Sequence, residues 1–362
     1  MMVAWIGSQT VPLPTAIEQV AKLLAKSRCP VFSIESDVHG SRSLIALAER
    51  VGATYDHVNG RNLLHEVALH TDIGGFFATA TEVRRRADLI IIVGDIAAAH
   101  HDLILSLAST AADLSSSSRR RWLHIKGKAP AAAGEPLRRL KAIEVGSSDF
   151  PIDAVLGSLR AMLAGRKTSA PLANIDAFLS EMASARFPVF VFSHLNDPAS
   201  LVMLQGMLAD INRARRATAL FLPSDDDAWG MVLASTWMTG FAPRTSFSTG
   251  SPVHDPWLFD IERMIADKEA DLHMWVSERD EARPPKRSRV PTVALVRSER
   301  PAAGALVTVR IGKAGLDHDG VVYSSRIGTL RSVAATAPSA LPSIYAIVGQ
   351  LEHALQGEGL PS

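Results

Sequence analysis

The sequence predicts an α/β protein made of two duplicated, doubly wound (Rossmann-like) lobes, each a parallel sheet with helices on both faces. Three observations carry this reading. Amphipathic helices alternate with short apolar strands, the pattern of a parallel sheet covered on both sides. A chain of 362 residues exceeds one ordinary core and suits two domains of about 150 residues each. Segments of the first half also recur, in order, in the second.

Taken in order, "PTAIEQVAKLLAKS" reads as an amphipathic helix, followed by the strand "PVFSIES" opened by Pro30. Helix "SRSLIALAERVG", strand "TYDHV", helix "RNLLHEVALH" and the apolar strand "ADLIIIVGD" come next. Gly94 and Asp95 leave that strand as a tight turn and helix cap. Helix "HDLILSLAST" and strands near "RWLHIKG" and "LKAIEVG" then lead to the long helix "PIDAVLGSLRAMLAG". The polar stretch "RKTSAP" at 166–171 is the expected boundary. It separates a first lobe, 1–165, from a second, 172–335, with a C-terminal helix and tail, 336–362, packing back on them.

The recurrence is specific. "LLAKSRCPVFSI" pairs with "LSEMASARFPVFVF", aligning Pro30 with Pro188, and "RRRADLIIIVGD" pairs with "DKEADLHMWVSERD", aligning Asp88 with Asp271. "RRWLHIKG" then pairs with "RVPTVALVR", and "LKAIEVG" with "GALVTVRIG". In such a protein a cleft rimmed by the carboxyl ends of strands is the natural ligand site.

Composition narrows the function. Lys and Arg number 38 against 37 Asp and Glu, so no global field draws the chain to nucleic acid or a membrane. The single cysteine, Cys29, excludes a disulfide framework, a thiolate-only zinc site and a Cys-ligated iron–sulfur cluster within the chain. The N-terminus lacks a signal-peptide pattern and no segment approaches about 20 uninterrupted apolar residues, so a cytoplasmic protein is expected.

The usual catalytic motifs are missing. His65 and His70 are five apart, whereas a zincin helix needs an i, i+4 pair. His100 and His101 are adjacent, so on a helix they diverge by about 100° and read as helix-start residues. No glycine-rich phosphate loop and no G-x-S-x-G elbow occurs. The acid run Asp225–Asp227 reads as a capping turn. Basic runs at Arg84–Arg86, Arg119–Arg121, Arg213–Arg216 and Lys286–Arg289 read as solvated surface, since no aromatic residues interleave them for base stacking.

Five stretches, in order, resemble a known family: "AKLLAKSRCPVF", "ALAERVGATYDHVNG", "TATEVRRRADLIIIVGD", "LASTWMTGFAPRTSFSTGSP" and "DHDGVVYSSRIGTLRSV". They are similar to the B subunit of formylmethanofuran dehydrogenase, in the molybdopterin oxidoreductase superfamily. Members carry a Cys-rich iron–sulfur segment and then a Cys-His-Gly turn whose cysteine ligates the tungsten or molybdenum of a bis-pterin cofactor. The matching turn here is Val58-Asn59-Gly60, and the iron–sulfur segment is expected to be missing. The resemblance is therefore nearest to the bacterial branch, the B subunit of formyltransferase/hydrolase complexes of methylotrophic one-carbon metabolism. Those complexes move and hydrolyse a formyl group on a methanofuran-type carrier and tetrahydromethanopterin, without redox chemistry.

The resemblance implies a non-catalytic scaffold that binds no cofactor itself, with catalysis on amidohydrolase-like and formyltransferase subunits beside a C-type subunit. Val58, Asn59, Gly60, Gly94 and Asp95 would then be the rim of a vestigial cofactor cleft. Apolar residues in turn-rich segments are the expected partner contacts: Phe76, Phe77, Trp229, Trp237, Phe241, Trp257 and Phe259. Arg119, Arg120 and Arg121 are expected either to guide the polyglutamyl tail of the family's carriers or to face solvent. A competing reading, an active two-lobe enzyme or a nucleotide- or thiamine-diphosphate-binding protein, requires a diphosphate site that the sequence does not offer.

Overall fold

The structure is a computed structural model, and it describes residues 4–68, 74–115, 120–128, 139–193, 195, 197–280 and 290–359. In chain order the strands are β1 (Ala4–Ile6), β2 (Gln9–Val11), β3 (Pro30–Glu35), β4 (Thr54–His57), β5 (Leu89–Val93), β6 (Arg121–Lys126), β7 (Ile143–Gly146) and β8 (Pro188–Phe192). They continue with β9 (Thr218–Phe221), β10 (Thr245–Ser246), β11 (Val253–His254), β12 (Leu272–Ser277), β13 (Thr292–Val296), β14 (Val307–Arg310), β15 (Gly320–Ser324) and β16 (Thr329–Val333). Among the described residues no helix is long and apolar enough to cross a membrane.

The chain divides into two compact units, and the division differs from the contiguous halves 1–165 and 172–335. One unit comprises Met1–Leu64, Asp226–Tyr323 and Leu330–Ser362; the other comprises His65–Asp225 and Ser324–Thr329. The physical reason is strand pairing. β3, from the first half of the chain, hydrogen-bonds to β12 of the second half, and β5 of the first half to β8 of the second.

The first unit holds a nine-stranded sheet in the order β11-β10-β4-β3-β12-β13-β14-β1-β2. Its centre is parallel, as expected. Its ends are antiparallel, which makes the sheet mixed: β10 and β11 flank one side, and the β1–β2 hairpin closes the other. Very short hairpin strands of this kind blunt edges that would otherwise recruit another chain. One face is covered by helices Leu13–Lys26, Val38–Val51 and Ile344–Gly357, whose Val20, Leu24, Leu44, Leu47, Ile347 and Leu351 meet Phe32, Ile34, Met274 and Val276. The other face carries helix Ile261–Ala266, with Ile261 and Met264 on Val31. Helix Val38–Val51 is set at both ends: Asp37 accepts the Gly40 N–H at 2.8 Å, and Gly52, at φ 67°, closes it in the left-handed region.

The second unit holds a five-stranded, wholly parallel sheet in the order β7-β6-β5-β8-β9. Ile90, Ile92, Val189 and Val191 face Leu103, Ile104 and Leu107 of helix His101–Ser109. Leu89, Ile91 and Val93 are buried as well, so both faces of the sheet are covered. The uninterrupted apolar run in the sequence is the signature of that double burial.

The recurring segments occupy corresponding strands in the two sheets. Pro30 opens β3 and Pro188 opens β8; Leu272, after Asp271, pairs with Pro30, and Leu89, after Asp88, pairs with Pro188. β13 and β14 follow β12 outward as β6 and β7 follow β5. The two aspartates do the same work. Asp271 accepts the N–H groups of Arg28 (2.8 Å) and Cys29 (3.1 Å), and Asp88 those of Arg186 (2.9 Å) and Phe187 (2.8 Å). Each thereby ties the residues before a proline-led strand to the neighbouring strand. Asp88 is buried and also pairs with Arg121, whereas Asp271 is exposed. Asp88→Ala is therefore expected to cost about 2–3 kcal/mol by leaving buried donors unmet, and Asp271→Ala clearly less. Urea denaturation of the two variants tests that order.

Candidate functional site

The turn Val58-Asn59-Gly60 lies at the carboxyl end of β4. Val58 is half-buried against the apolar cluster of Trp275, Ala294, Val296 and Ala305, and its N–H donates to the Ile34 carbonyl at 3.1 Å. Asn59 is exposed, and its N–H donates to His57 Nδ1 at 3.0 Å. Gly60 is a glycine for a steric reason, because a Cβ there would fall on the Asp56 carboxylate. Nothing on this turn can supply a thiolate. Cys29 precedes the first residue of β3, at the opposite end of the strand, and burial, with the charges of Asp271 and Glu269, pushes its thiol up. The donor set at the turn therefore does not fit a thiolate-ligated tungsten or molybdenum. Among the described residues no group of three or more His, Cys, Asp or Glu side chains is arranged to hold a metal ion.

Behind the turn lies a buried charge network. Arg244 sits between two acids, with Nε 3.0 Å from Asp56 Oδ2 and Nη1 3.0 Å from Asp260 Oδ2. It also donates to the Pro256 carbonyl, and its own backbone is left-handed at φ 67°. Burial pushes the Asp56 carboxyl up to about 7, opposed by Arg244. Arg244 is thus shared between the buried Asp56 and the partly buried Asp260. His57 is driven the other way, to about 3, by burial and by the charge of Arg279. With Nδ1 accepting from Asn59, its proton resides on Nε2, which finds no protein partner among the described residues. The signal for this network was present: "TYDHV" puts two ionisable residues, Asp56 and His57, inside a strand of a sheet buried on both faces.

The ends of β3 and β12 carry a second acidic group. Ser277 Oγ donates to Glu35 Oε2 at 2.5 Å, and Arg279 Nε lies 2.7 Å from Glu35 Oε1. Glu278 takes the N–H groups of Ala314 and Asp37, and burial beside Asp37 pushes its carboxyl up to about 8. Burial likewise raises Asp227, in the first turn of helix Asp226–Thr239. A carboxyl whose folded pKa lies above its unfolded value stabilises the fold at low pH and loses that contribution as pH rises. For Glu278 the loss runs from about 4.5 to about 8. The buried His57 and His273, lowered to about 3 and about 4, act only below about 6.5. Between pH 6.5 and 8 the wild-type melting temperature is therefore expected to fall. Glu278→Gln, which keeps an acceptor for both N–H groups, should flatten that slope, as thermal melts across the interval would reveal.

In the second unit Gly94 and Asp95 follow β5, and Gly94 has φ 66°, the left-handed turn expected of it. The histidines are held by carbonyls: His100 Nε2–H donates to Pro223, His101 to Ile96 and His124 to Gly94. All three serve the loop rather than a ligand set. His70 lies outside the described residues.

Among the remaining expected contacts, Arg119 and the run Lys286–Arg289 also lie outside the described residues. The guanidinium of Arg120 is committed to the carbonyls of Arg84, Ala87, Leu107 and Thr110, and that of Arg121 to Asp88 and Glu181. Trp229 departs from the expected partner contacts: at 6% exposure it belongs to the core, because it lies on the inward side of helix Asp226–Thr239. Phe77 and Phe259 are half-buried, whereas Phe76, Trp237, Phe241 and Trp257 are exposed.

No family model matches the chain. It is 31% identical over 357 residues, covering 94% of both proteins, to the B subunit of the formyltransferase/hydrolase complex Fhc of Methylorubrum extorquens. It is 23% identical over 336 residues to the B subunit of the tungsten-containing formylmethanofuran dehydrogenase 2 of Methanocaldococcus jannaschii, covering 85% of this chain and 75% of that protein. Among solved structures it matches a chain of the crystal structure of the FhcABCD complex from Methylorubrum extorquens with methylofuran. The TM-score is 0.84 at 29% identity, covering 99% of this chain and 100% of that chain.

Proposed function

Because the chain belongs to the family formed by the B subunit of the formyltransferase/hydrolase complex and its relatives, we propose that it is a non-catalytic structural subunit of such a complex in methylotrophic one-carbon metabolism. The observation that carries the reading is Val58, an apolar side chain seated on Trp275 and Val296 at the turn where the resemblance places the ligand cysteine of the dehydrogenase branch. The buried clusters point the same way. Asp56, His57 and Arg244 are buried and hold one another, and the histidines of the second unit are tied to carbonyls. In this reading the formyl carrier, a methanofuran-type cofactor, and tetrahydromethanopterin are handled by amidohydrolase-like and formyltransferase subunits, with a C-type subunit completing the assembly.

We also read the two units as duplicates, supported by the shared Asp-to-proline-strand device and the matching strand orders. The test of function is purification of the tagged chain from its own cells, followed by mass spectrometry and elemental analysis. Co-purification of the three other subunits, without stoichiometric tungsten or molybdenum, is the expected result. Elution alone at 38.9 kDa, or one equivalent of either metal, would overturn it.

A further inference from the structure

The second unit carries a groove of about 700 Å³ at the C-terminal ends of helices Ile152–Leu163 and Pro198–Asn212. Its charged lining consists of Arg160, Arg166, Arg213 and Arg215 facing the single carboxylate of Asp210. Asp210 is already shared, lying 2.6 Å from Arg160 Nε and 3.6 Å from Arg213 Nη2, and the Arg160 hydrogen bond holds its carboxyl below the usual range. Arg160 is built into the groove. Its guanidinium lies against Gly206, where any Cβ would collide with it.

The helix dipoles explain part of this charge, since one cation near each C-terminus is favourable. Arg160, in the last turn of one helix, and Arg213, the C-cap of the other, fill those places. Arg166 and Arg215 are surplus to that need and have no acidic partner among the described residues. Arg215 is moreover half-buried in the groove, which departs from the solvated surface expected of this run. Guanidinium forks match carboxylates bidentately. The lining has no aromatic ring on which a nucleobase could stack.

We infer that this groove seats an acidic segment of a partner subunit, whose Asp or Glu carboxylates pair with Arg166 and Arg215. The inference rests on the subunit reading above, and its test is separable from it. Anisotropy of a fluorescent oligoglutamate peptide is measured on the full chain, on Arg166→Glu/Arg215→Glu, and on Lys22→Glu/Lys26→Glu. The last pair makes the same charge change on exposed positions of helix Leu13–Lys26. Saturable binding, weakened about tenfold or more by the groove variant and about twofold or less by the control, is expected. The assembled complex should not take up the peptide, its groove being filled.

Equal binding by the groove variant and the wild type would overturn the site, as would tighter binding of a single-stranded oligonucleotide of equal charge. Peptide binding to the complex as strong as to the free chain would overturn the partner segment as occupant. Failure of the wild-type chain to co-purify with any subunit would instead refute the proposed function, while the peptide assay still reads the groove.

Discussion

Arg244→Ala is expected to lower the melting temperature of the first unit by about 10 °C. The side chain is the only cation at hydrogen-bond distance from both Asp56 and Asp260 among the described residues, and it is 5% exposed. Deleting it leaves the buried Asp56 and the partly buried Asp260 without their shared cation, a change that costs about 3–5 kcal/mol, and each kcal/mol moves the midpoint of a domain this size by about 2–4 °C. The loss should shrink as pH falls through about 7, because a protonated Asp56 no longer needs the guanidinium. Part of any change at this position is backbone, since φ 67° suits few side chains. Arg244→Asn, which tolerates that conformation, separates the two causes: if charge dominates it should melt as low as the alanine variant. Asp56→Asn combined with Arg244→Ala should cost less than the sum of the single changes. A melting temperature for Arg244→Ala within about 2 °C of wild type would mean that the network contributes little.

This network marks the limit of what the sequence disclosed. The helices and strands followed from periodicity because each is amphipathic or doubly buried, and the pairs Pro30/Pro188 and Asp88/Asp271 were legible as a repeated local device. Their exchange between sheets was not. Pairing of β3 with β12, between segments far apart in the chain, depends on non-local hydrogen bonding that no local pattern encodes. The same holds for Arg244, which meets Asp56 only after β10 is laid beside β4. Val58 was identified by resemblance alone; its packing on Trp275 could not be read from spacing. Trp229 misled because a tryptophan in a turn-rich stretch looks alike whether its ring points inward or outward, and Asp225–Asp227 before it suggested exposure. The arginines at 213–216 read in the sequence as one solvated cluster, yet they divide once Arg160 arrives from another helix to share Asp210 with Arg213.

Trp237→Ala with Trp257→Ala is expected to reduce assembly with the partner subunits by about 100-fold or more, without lowering the melting temperature of the chain. The two rings are 60% and 68% exposed, and Phe241, Val253 and Leu258, also exposed, fall in the same stretch of the first unit. A protein gains nothing by leaving so many large apolar groups in water unless a partner covers them. The Trp257 and Phe241 rings are also pre-positioned. The Arg263 guanidinium lies 4.7 Å from the Trp257 ring centroid, and Phe241 stacks on His254 at 6.1 Å. A held ring loses less entropy on docking, which is how aromatic anchors come to contribute about 2 kcal/mol or more each at interface centres. Because neither tryptophan lies in the core, truncation removes surface area rather than packing. The control is Tyr345→Ala: its side chain is exposed to a similar degree, but on helix Ile344–Gly357, away in sequence from this stretch. It should leave assembly intact. Sedimentation of reconstituted wild-type and variant complexes reads assembly, and thermal melts of the free chains read stability. Equal assembly by the double variant would move the interface elsewhere and leave the exposed tryptophans in want of another partner.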